Sequence, residues 1–207
     1  MGPMMKRFLL LCLCLVSSVS AQQATGGAVA INAEVSQSVR AATQRLGNEV
    51  LQSNFRYAID HMYPRWKNSQ AKRLGSEAKL LAAFNSAGAK MQEAGVTLDS
   101  FLALEPTGAY RVHPKLKPGV SDVNSSSDLD YQILVLIPTQ MKISFYVEGH
   151  PKRSFMRNSY QVALSQEGSN EWSFIDGSTI RFTDLRSLFP LLPSDLELPE
   201  KSDVEIK

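Results

Sequence analysis

YQILVLIPTQMKISFYV, Tyr131–Val147, carries two patterns in one run. Tyr131–Ile137 is short and apolar at almost every position, as in a strand buried on both faces. From Gln140 the period is two. Met141, Ile143, Phe145 and Val147 alternate with Gln140, Lys142, Ser144 and Tyr146, which predicts a half-buried strand. Pro138 lies between these stretches and predicts a bend, bulge or turn. Upstream, Leu98–Glu105 and Ala109–His113 flank Pro106-Thr107-Gly108, a turn signature. Pro114–Leu129 reads as a loop. Downstream, Tyr160, Val162 and Leu164 alternate again, Glu167–Asn170 turns, and Trp172 and Phe174 return. The second half of the chain is therefore a meander of about four to six strands.

Before the meander the period is helical. Val39, Ala42, Leu46, Val50, Phe55, Ile59 and Met62 recur at helical spacing, predicting a helix from a Ser36 cap to about Met62. Pro64–Gly75 is polar and breaks the pattern. A second helix is predicted over Ser76–Ala94, with Leu80, Phe84, Ala87 and Met91 on one face, Ser76 as cap and Gly95 as stop. Gly88 inside it predicts the close approach of another element. Thr183–Phe189 reads as a short helix, and Pro190, Pro193 and Pro199 as an extended tail. The order predicts an α+β fold, with N-terminal helices packed on an antiparallel sheet.

Met1–Arg7 bears Lys6 and Arg7, Phe8–Val16 is apolar, and Ser17–Ala21 is small. This is the pattern of a signal peptide cut after Ala21. Nine apolar residues are too few to span a bilayer. The expected product is exported, periplasmic or secreted, with no transmembrane segment. The chain has 22 Lys and Arg against 20 Asp and Glu, and two cysteines. Both cysteines and two of the cations lie in that leader. The remainder is neutral and free of thiols, which excludes disulfides, thiolate metal sites and a cysteine nucleophile. Neutrality also argues against nucleic acid as a partner. The expected organisation is 1–21 signal peptide, 22–35 flexible leader, 36–190 one α+β domain and 191–207 an extended acidic tail. Arg65, Lys67, Lys72 and Arg73 around Trp66 form a locally basic stretch, which the tail's acids are able to lie across.

Two helices followed by such a sheet resemble the nuclear transport factor 2-like superfamily. More locally, Ile137-Pro138-Thr139, Ser159–Gly168, Trp172-Ser173-Phe174-Ile175-Asp176-Gly177, Leu188-Phe189-Pro190 and Leu196-Glu197-Leu198-Pro199 resemble a group of uncharacterised exported bacterial proteins. The resemblance implies a strongly bent sheet wrapped as a cone around a pocket. It implies no activity, since that fold hosts catalysts, binders and assembly modules alike.

His61, beside Asp60 and near Tyr57 and Trp66, is the leading acid–base candidate. Adjacent helical residues diverge, however, and Asp60 has Arg56 at i,i+4. His113 and His150 each precede a proline. Asp99, Glu105, Asp130, Glu148 and Asp176 are the acidic candidates, with Asp130 beside Tyr131 and Glu148 near Tyr146 fitting a cone-pocket acid. Tyr57, His61, Trp66, Tyr160 and Trp172 are the expected wall of a ligand pocket. No spacing offers a metal site, phosphate loop or nucleophile elbow, and no cofactor is implied. The reading that follows is a non-catalytic module that binds a small apolar ligand or a protein, with a homodimer as one form. The alternative is a small isomerase, dehydratase or hydrolase working in the cone, with His61, Asp130 or Glu148 as its acid or base.

Overall fold

A computed structural model describes residues 27–113, 131–190 and 192–206. The signal segment, the loop Pro114–Leu129 and Asp130 lie outside the described residues. Two long strands form the centre of a six-stranded antiparallel sheet. They are β3 (Gln132–Phe145) and β4 (Arg153–Gln166), in unbroken register from Gln132 opposite Gln166 to Phe145 opposite Arg153. The outer edge of β3 carries β1 (Val96–Ala103) and β2 (Gly108–Val112) end to end, both antiparallel to it. The turn signature at Pro106–Gly108 therefore shifts the chain along β3 instead of reversing it. The outer edge of β4 likewise carries β5 (Ser173–Asp176) and β6 (Ser202–Ile206).

Pro138 does not interrupt β3, contrary to the expectation from sequence. Its carbonyl accepts from Leu104 N–H at 2.9 Å, so its nitrogen faces the same gap between β1 and β2. No strand there requires a donor, and a proline is tolerated.

The free edge of β1 is closed by a side chain. Gln44 accepts from Ala103 N–H at 2.9 Å and donates to Phe101 C=O at 2.9 Å, as a neighbouring strand would. Gln44 sits on α1 (Ala33–Leu51), which begins three residues before Ser36 because Asn32 caps it, accepting from Val35 N–H at 2.8 Å. The helix expected to reach Met62 stops at Leu51. Ser53 takes a left-handed φ of 61°, and Asn54 caps a separate α2 (Phe55–Asp60). Pro64–Gly75, expected to break the pattern, is α3 (Pro64–Leu74), with proline in its first turn and Gly75 at φ 101° closing it. Then α4 (Glu77–Glu93) starts at the predicted Ser76 cap. The bare Cα of Gly88 lets the Phe55 ring approach, as its position in the pattern suggested.

The half of the sheet built from β2, β5 and the facing parts of β3 and β4 is covered on both faces. On one face Val39 and Leu46 of α1 pack on Ala103, Ala109, Val135, Ile137, Ala163, Trp172 and Phe174. On the other, Leu134, Leu136, Tyr160, Val162 and Leu164 lie under Ile180, Leu185 of α5 (Phe182–Leu188), Phe189 and Leu192. Leu196 and Leu198 pack against the same cluster. The chain from Leu192 to Lys201 is thus a strap across this face that leads into β6. At the other terminus, Ala28 bridges Tyr110, and Val29 and Ile31 pack on the α1 side.

Candidate functional sites

The residues expected to wall one pocket fall into two separate layers. Tyr57 and His61 meet, stacked at 3.8 Å between ring centroids with 19° between planes, and the Arg45 guanidinium lies 5.1 Å from the Tyr57 centroid. His61 Nδ1 donates to Tyr57 C=O at 2.9 Å, which leaves Nε2 as its free ring position. Asp60 does not assist it; both its oxygens take the Arg56 guanidinium, at 2.9 and 3.0 Å. Trp172 is buried on the α1 side, donating to Ser38 Oγ at 2.9 Å. Tyr160 and Trp66 belong to the opposite face of the sheet. Burial raises the Tyr160 phenol above its ordinary pKa, so it stays neutral. The structure thus joins Tyr57 to His61 and places Trp66 and Tyr160 across the sheet from Trp172.

Glu148 sits exposed in the turn between β3 and β4. Glu105 meets Arg40 and Ser36, and Asp176 holds the turn after β5 through Ser178. Among the described residues, the buried polar side chains outside the aromatic set are Thr43, Thr139, Ser144 and Ser165. No carboxylate or imidazole is among them. A shallow cleft of about 350 Å3, lined by Arg56, Glu77, Ala78, Leu81, Ala82 and Asn85, lies between α2 and α4. Among the described residues no group of three or more His, Cys, Asp and Glu is placed to hold a metal ion.

Among the described residues no ion pair joins the basic stretch to the acidic tail. Lys67 pairs with Glu77, and Arg65 donates to Leu188 C=O. Asp203 and Glu205 of the tail pair instead with Arg157 and Arg153 of β4.

Beyond Tyr160 the face under the strap opens. Register places three rows of side chains on it. Leu102, Gln140, Asn158 and Ser202 form the first. Ser100, Lys142, Met156 and Val204 form the second. Thr97, Ser144, Ser154 and Ile206 form the third. Leu102 is 49% and Val204 52% exposed. Asp99 enters the third row from a bulge in β1. It accepts from Ser144 Oγ at 2.5 Å and Thr97 Oγ1 at 2.7 Å, with Lys152 Nζ at 3.6 Å. Ser144 and Ser154 hydroxyls lie 2.9 Å apart. The Ser144 and Thr97 hydrogen bonds, and then the Lys152 and Lys142 charges, hold the Asp99 carboxyl below the usual range. A carboxylate so stabilised is a poor base but a good strand clip.

Sequence reading missed this surface. The phase Gln140, Lys142, Ser144 looked like ordinary solvent-facing strand. The apolar members came from strands not recognised as its neighbours, above all Val204 in the presumed tail. No family model, curated protein or solved structure matches this chain.

Proposed function

We propose that the chain is a non-catalytic interaction module of an exported protein, and that it works through the open half of its sheet, pairing with a second copy. The observation that carries this is a contrast between the two halves. The covered half is filled on both sides, with neither carboxylate nor imidazole among its buried described residues. General acid–base chemistry requires such a group within hydrogen-bond reach of a substrate. The open half carries exposed Leu102 and Val204 and half-buried Met156 among Ser, Thr, Gln and Asn. Lys142 is the one charged member of the three rows, with Asp99 and Lys152 paired at their end, and so low a charge density suits the centre of a protein interface. The reverse face of the same strands carries the Arg153–Glu205 and Arg157–Asp203 ion pairs.

An open antiparallel face suits a two-fold pairing, because the same patch serves both partners. Strand and residue spacings give it roughly 19 by 20 Å, about half of what one partner contributes to a stable interface. The expected dimer is therefore weak, with dissociation in the tens of micromolar or above. Helices preceding an antiparallel meander support kinship with the nuclear transport factor 2-like superfamily and its bent, cone-shaped sheet, and that kinship is part of the proposal. Sedimentation velocity over rising concentration tests the reading. The average sedimentation coefficient is expected to climb for the wild type and to stay at the monomer value for Met156→Lys. A wild-type monomer throughout, or an unchanged rise in Met156→Lys, overturns it.

A further inference from the structure

The six large apolar side chains exposed among the described residues include three in succession: Phe145, Tyr146 and Val147, at 39%, 65% and 54%. They occupy the tip of the β3–β4 hairpin. The tip is held in place at its base: Tyr146 N–H donates to Gly95 C=O at 2.8 Å, and Phe145 packs edge-on against Phe155 at 5.4 Å. At its far end Gly149 has a φ of 78° and its Cα faces open space. The apolar side chains are therefore presented on a rigid stem.

We propose that this tip inserts into the interfacial layer of a lipid bilayer, an activity beyond the pairing of sheet faces. Two features select lipid over a protein partner. First, Phe145 ends a strand and Tyr146 follows it directly, so the two rings leave the hairpin on opposite sides. No single flat protein surface covers both, whereas an apolar medium solvates them together. Secondly, aromatic and aliphatic groups with cations just behind them match the layered polarity of that boundary. Lys152 and Arg153 follow the tip, and Glu148 is its one acid. Arg153 and Lys152 are already engaged with Glu205 and Asp99, so lipid charge adds little. Binding is driven by apolar insertion and is insensitive to salt. It is also weak, on the order of the 10⁴ M⁻¹ that a single acyl chain provides, or below.

The test places a reporter in the tip. The full chain carrying Tyr146→Trp is titrated with phosphatidylcholine vesicles bearing brominated acyl chains. The wild type, with only Trp66 and Trp172, supplies the background. Extra quenching is expected in the variant, surviving about 0.5 M salt, where exposed charges are screened within a few ångströms. Adding Phe145→Ser and Val147→Ser should weaken it about tenfold. The readout is local to the tip, so lipid binding by the leader does not mimic it. Met156→Lys on the sheet face should leave it unchanged. A wild type that stays monomeric at every concentration yet gives this quenching would sink the dimer reading and leave this one standing. No extra quenching at millimolar lipid overturns the proposal, as does quenching that ignores the serines or vanishes with salt. A photocrosslinker at position 146 that captures a protein while vesicles give no quenching also overturns it.

Discussion

Gly177 and Asp99 show how much of this fold depends on single atoms. Gly177 follows β5 where the chain presses on Tyr160, donating to its carbonyl at 3.0 Å. A methyl group there would strike that carbonyl oxygen and the ring. Backbone cannot swing aside as a side-chain end can. Gly177→Ala is expected to cost about 1–3 kcal/mol in urea unfolding. Asp99 ties β1 to β3 through Ser144, and its folded pKa is depressed. In the unfolded chain it titrates near the usual value of about 3.9. Its stabilisation is thus complete above about pH 4 and lost as pH falls through the lower folded value. Asp99→Asn should lose about 1 kcal/mol at pH 7. The gap from wild type should narrow in acid, as unfolding at pH 7 and pH 3 would show. A gap independent of pH would mean that the carboxylate's charge is not what clips the strand.

The elements differ in how plainly the sequence announced them. The second helix was legible from Ser76 to Gly95, because cap, apolar stripe and stop coincide there. The antiparallel meander was legible from alternation alone. What was not legible depended on partners distant in sequence. Pro138 reads as a break until Leu104–Thr107 is known to lie beside it, and β6 reads as tail until Arg153 and Arg157 are known to receive its acids. α3 was hidden because it has no buried residue, so no apolar stripe marked it. The expected pocket wall failed to converge for a related reason: hydrophobic pattern does not say which face of a sheet a residue joins. The edge of β1 offers a test at this scale. Gln44→Ala removes both bonds to Phe101 and Ala103 and should cost about 1 kcal/mol. Exchange of the Ala103 amide, followed by NMR, should accelerate by roughly fivefold or more. Unchanged protection would mean that the edge is closed by packing alone.

At the scale of the molecule, one half of the sheet is sealed and the other is left open. The strap decides that division, and apolar anchoring decides the strap. Leu192 is fully buried under the Tyr160 face, whereas the Arg157–Asp203 pair is half exposed. Leu192→Ala should cost about 2–3 kcal/mol, and Asp203→Asn at most about 1 kcal/mol, by thermal or urea unfolding. The reverse order would make the ion pair the clasp. The open half is the centre of the functional account, and intermolecular contacts observed by NMR test it most directly. In a mixture of copies with labelled Met methyls and unlabelled copies, at millimolar concentration, the Met156 methyl should show contacts to Leu102 and Val204 of another copy. Absence of any intermolecular contact, or contacts confined to the Arg56–Glu77 cleft, would contradict the account.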